Sequence, residues 1–148
     1  MSTNVPGAKS AISQERTKLP SLTGRLLQFN LLDELRKLRN QESWQRNTGR
    51  SSKTLAKYPD LHVVLVLMKA HSRMGEHHVD GRTSLHILQG RIRIHSPQQS
   101  LEASANDLVA LDSGILHNVE ALEESAFLIT ISWPGGTKEQ RHATFRLM

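Results

Sequence analysis

Hydrophobic spacing changes character twice along these 148 residues. Residues 1–28 show no hydrophobic period, and Pro6, Gly7 and Pro20 interrupt a polar stretch that reads as a flexible arm. Leu31, Leu32, Leu35 and Leu38 then fall at helical spacing behind Asn30, a capping residue, with Asp33 at the third helical position. The spacing predicts an amphipathic helix over 29–47, fading between Trp44 and Asn47 and packing its leucines on the outside of a sheet.

From Ser51 the period shortens. Ser51–Lys57 reads as a first strand, and Leu61–Lys69 as an almost continuous apolar run buried on both faces. Thr83–Leu88 and Arg91–His95 flank a Gln89-Gly90 turn or bulge, and Arg91 to Ile94 alternates so that one face is wet. Leu101–Ala105, Asp107–Leu111, His117–Leu122 and Ala126–Trp133 complete the series, and Pro134-Gly135-Gly136 ends it before a polar tail over 135–148. Many strands about 8–12 residues apart predict an all-β sandwich or barrel over 51–134 with a helix in front of it.

Composition narrows the chemistry. No cysteine is present, so disulfides and thiolate metal sites are excluded. Any metal would sit on imidazole and carboxylate, which suit Fe, Mn, Ni, Cu or Zn. No apolar run reaches membrane-spanning length and no signal peptide is visible, so a cytoplasmic protein without membrane contact is expected. Residues 1–57 carry 11 Lys/Arg against 4 Asp/Glu, and residues 58–148 carry 8 against 10. The basic half reads as solvated charge and not as a nucleic-acid surface, because no reading helix or aromatic-interleaved stripe accompanies it.

The candidate chemistry lies in two segments. One is Met74-Gly75-Glu76-His77-His78-Val79-Asp80-Gly81; the other is Asn106 to His117, which contains Asp112, Ser113 and Gly114. Imidazoles brought from distant strands are how a small barrel builds a site in its mouth. Neighbouring strand residues face opposite ways, so His77 and His78 cannot both face inward from a regular strand. His77 and His117 are the first choice as inward donors, His78 and His86 stand level behind them, and Glu76 is last. Arg82 could take a small acid through its planar fork, or pair with Asp80 or Glu76. Met68 and Met74 are candidates for an apolar pocket wall or for core filling. His62 and His71 read as core or rim residues, His95 and His142 as surface residues, and Trp44 and Trp133 as packing anchors. No nucleotide loop, nucleophile elbow or cysteine nucleophile is present.

On these residues the chain, over about 51–133, resembles the small single-domain cupins, whose barrel is a double-stranded β-helix of the jelly-roll type. Anchored on Gly90, the family's first motif sets Thr83 at its glutamate and Glu76 and His78 at its two histidines. Anchored on His117, the second keeps Gly114 and has Asn106, Asp112 and Ala121 in place of Gly, Pro and Asn. The chain is also similar to a subgroup of short bacterial cupins in which His77 is the retained histidine and His86 occupies a glutamine position. The resemblance implies a barrel that holds a small-molecule ligand and, with His77, His78, His86 and His117 as donors, a divalent metal (Fe, Mn, Ni or Zn). Oxygenase, isomerase or decarboxylase chemistry would follow from such a metal; a binding or sensing module with a decayed metal site is the alternative. Glu76, Arg82 and Met68 would then contact the ligand. A homodimer through the outer faces of Leu61–Met68 and Ala126–Trp133 is expected as well.

Overall fold

In the computed structural model, residues 22–46 and 49–134 are described. Most of the expected arm, the polar tail and His142 lie outside them. Helix α1 (Leu31–Arg39) starts where Asn30 accepts a hydrogen bond from the Asp33 N–H at 3.0 Å. The predicted single helix is broken at Asn40, and a short α2 (Glu42–Arg46) follows, held by a Glu42–Arg46 ion pair. Nine strands come next: β1 (Arg50–Tyr58), β2 (Leu61–Met68), β3 (Arg73–His77), β4 (Arg82–Gln89), β5 (Arg91–His95), β6 (Ser100–Ser104), β7 (Leu108–Leu111), β8 (His117–Ala121) and β9 (Ser125–Ser132). All but β3 match an expected strand within two residues at either end; the hydrophobic spacing predicts no strand at β3, which carries the first histidine segment.

The strands form two antiparallel sheets, ordered β1-β2-β9-β4-β7 and β3-β8-β5-β6. Their inner faces meet on an apolar core that includes Val64, Val66, Met74, Ile87, Ile92, Val119 and Phe127. The alternation of β2 explains its unbroken apolar sequence. Val64, Val66 and Met68 enter this core, while Leu65 and Leu67 face the other way and meet Leu35, Leu38, Trp44 and Ala126. Met68 is wholly buried in the inner core and is no wall of an accessible pocket.

The helix therefore occupies the outer face of β2 and β9 that was expected to pair two copies of the chain. Polar contacts pin it there. Lys53 Nζ lies 2.5 Å from Glu34 Oε1, Arg39 Nε 2.9 Å from Glu124 Oε2, and Lys69 Nζ stands 4.9 Å from the centre of the Trp44 ring. The segment ahead of the helix is also attached, since Lys57 N–H donates to the Leu22 carbonyl and Tyr58 O–H to that of Gly24. Within the expected arm, Leu22 and Gly24 are thus tied to β1.

Candidate functional site

Register sorts the interior into tiers. Directly opposed residues of antiparallel strands share a face. On the five-stranded sheet His62 opposes Ile131, Ile131 opposes Thr83, and Thr83 opposes Leu111. The next tier, Val64, Ile129, Leu85 and Val109, is entirely apolar. On the four-stranded sheet His77 opposes His117, and the tier beneath is Met74, Val119, Ile94 and Leu101. Both polar tiers lie at the end of the barrel where β3 finishes and β4 and β8 begin. A bond from the Gly114 N–H to the Val79 carbonyl (2.8 Å) joins the two loops that rim it.

His117 is 5% exposed and Thr83 8%. The His117 Nδ1 lies 2.9 Å from the Ile115 carbonyl oxygen. A carbonyl only accepts, so Nδ1 carries a proton. Gly114, three residues earlier, has φ +78°, the left-handed conformation that glycine tolerates without strain and that turns the chain into β8.

The alignment of β3 with β8 depends on an irregularity. Met74 opposes Val119, yet His77, not Glu76, opposes His117, because one extra residue is accommodated between Met74 and His77. Glu76 and His78 are exposed. The structure thus brings the backbones of His77 and His117 together and leaves Glu76 and His78 at the surface.

Two further expectations are corrected. His86 alternates with Leu85 and Ile87, which enter the core, so it lies on the outer face opposite Leu108 and Leu128 and does not share an interior with His117. Arg82 is also on that outer face. Its Nε is 3.1 Å from Asp112 Oδ1, so its ion-pair partner is neither Asp80 nor Glu76. It borders a shallow cavity of about 430 Å³ floored by Ser84, Ala110, Thr130 and Ser132. Among the side chains described, no three of His, Asp and Glu stand close enough to hold one metal ion.

Sequence reasoning missed that His62 and Trp133 belong to this end of the barrel, and reached Thr83 only through the family's motif. His62 is fully buried, as expected of a core histidine, and its ring meets that of Trp133 edge-to-face at 4.6 Å and 74°. Two-residue steps along β2 and β9 carry the signal, but they locate the tier only once the strands are paired. On the outer face of the second sheet, His95 Nε2 is 3.1 Å from Glu120 Oε1. Glu102 binds both Arg91 and Arg93, and these residues form a ladder of opposite charges. The His95 bond holds the Glu120 carboxyl below its ordinary range, helped by the Arg73 and Arg93 charges against some desolvation. The Arg93 and Arg91 bonds do the same for Glu102.

No protein-family model matches this chain. Nor does any curated protein. Solved structures do. A conserved protein of unknown function from Streptococcus pyogenes is 19% identical, with a TM-score of 0.64 over 80% of this chain and 100% of that one. A cupin superfamily protein from Desulfitobacterium hafniense is 20% identical, with a TM-score of 0.57 over 59% of this chain and 80% of that one. A cupin-2 domain containing protein from Shewanella frigidimarina is 19% identical, with a TM-score of 0.56 over 71% and 94%. Among the described residues no helix is long and apolar enough to cross a membrane. With two antiparallel sheets closed on one apolar interior, this chain is a small domain of the cupin fold.

Proposed function

We propose that the barrel binds a small molecule at its histidine-bearing end, with His117 as the basic group that meets it. One observation carries this reading: His62 and Thr83 on one sheet and His117 on the other are buried at the same end of the barrel, and the Nδ1 of His117 is committed to the Ile115 carbonyl. An imidazole held this way, when neutral, has Nε2 as its acceptor for a hydroxyl or a transferable proton. The apolar tiers beneath favour a ligand with an apolar body.

A second reading has a divalent metal (Fe, Mn, Ni or Zn) at the same place. The register of His77 with His117 favours it, as does the Nδ1–carbonyl bond, the outer contact that ligating imidazoles usually make. A catalytic ion usually takes three protein ligands, and the described side chains present no complete set. Such an ion, when bound, would polarise a ligand oxygen.

The test is a thermal-shift screen over small acids, sugars and phenols, on the native chain and on His117→Ala. At least one class stabilises the native chain, and the response disappears in the variant while the unliganded melting temperature stays close to native. A variant that melts much earlier yet keeps every ligand response would overturn the proposal. Cobalt(II) titration separates the readings: stoichiometric binding lost in His117→Ala supports the metal, and no binding removes it.

A further inference from the structure

We infer that Trp133 donates a hydrogen bond to the ligand at this end of the barrel, so that the ligand presents an acceptor oxygen, as a carbonyl compound or a monocarboxylate does. The inference rests on the reading of this end as the ligand site. The indole is 2% exposed, and its Nε1–H has no hydrogen-bond partner among the described residues. A buried donor left unsatisfied is costly, and tryptophan is normally buried where its N–H reaches a partner.

The ring's placement gives that donor a direction. A Cβ built on Gly81 would stand 3.0 Å from Trp133 Cδ1, the carbon bonded to Nε1, and would collide with the Ser132 carbonyl oxygen. The five-membered edge of the indole therefore faces the loop 78–81, which continues directly from the backbone position paired with His117. Glycine at 81 permits this approach. The edge-to-face contact with His62 fixes the plane of the ring from the β2 side.

Indole N–H only donates, so it selects acceptors and gives nothing to an ammonium group. Arg82, the obvious clamp for a phosphate, is committed to Asp112 on the outer face. Among the described residues, register brings one cation to this tier: Lys57, opposite His62.

The experiment is a titration of the full ¹⁵N-labelled chain with acetophenone, benzoate and ethylbenzene, read at the indole N–H signals. The chain has two tryptophans, Trp44 and Trp133. Trp133→Phe assigns the pair, and Trp44→Phe assigns them if the first variant does not fold. Acetophenone and benzoate move the Trp133 indole proton downfield, whereas ethylbenzene, which lacks an acceptor, does not. Trp133→Phe weakens acetophenone binding about three- to tenfold more than it weakens ethylbenzene binding. If neither oxygen probe moves the signal, or ethylbenzene moves it equally, the inference fails and the N–H is directed elsewhere, such as at the His62 ring. Repeating the titration on His117→Ala separates the claims. A Trp133 response that survives there with unchanged affinity keeps the donor and removes the role of His117.

Discussion

At the scale of single residues, facing decides which histidine can act. His86 ranks behind His117 in the sequence but remains a candidate donor there, and a two-residue period counted from different neighbours sends one out and the other in. His117 was legible because Ser113-Gly114 marks a turn and the strand after it alternates. His86 was not, since its face depends on register with β7 and β9. Arg82 misled for a related reason: its partner Asp112 is distant in sequence, and β7 brings it near. The charge ladder was equally invisible as a unit, although it sets a pH response. Glu102 and Glu120 have depressed carboxyl values in the folded chain, so their stabilising effect is complete above the ordinary glutamate value of about 4.3 and disappears as pH falls through the folded values. The melting temperature should fall on acidification below that point. Replacing both by Gln should lower it at neutral pH and flatten the acid limb; an unchanged acid limb would show that other carboxylates govern it.

At the scale of elements, the helix leucines predicted their own destination. Leu35 and Leu38 repeat at the spacing of one face, and that face covers Leu65, Leu67 and Ala126. Leu35 has no exposed surface, so Leu35→Ala should cost about 2–5 kcal/mol, measured by denaturant unfolding, without altering ligand response. A loss under 1 kcal/mol would mean that the helix is weakly docked. The consequence for assembly was not legible, because an apolar strand reads the same whether a helix or a second chain covers it. The irregularity in β3 was hidden too. A bulged residue carries no fixed sequence mark, and it alone determines whether Glu76 or His77 opposes His117.

At the scale of the molecule, strand count and turn spacing were enough to give the two-sheet architecture, and the solved structures carry the same fold at about 20% identity. Fold alone does not specify chemistry. Places that compete for a ligand include the polar tier inside, around His117, and the shallow cavity outside, beside Arg82 and Ser84. Side-chain ¹H–¹⁵N spectra of the histidines, recorded while adding whichever compound gives the largest thermal shift, distinguish them. His117 should show the tautomer protonated at Nδ1, and its Nε2 signal should move with ligand while that of His86 stays fixed. A stationary His117 with a moving His86 would place the ligand on the outer face and contradict a site inside the barrel.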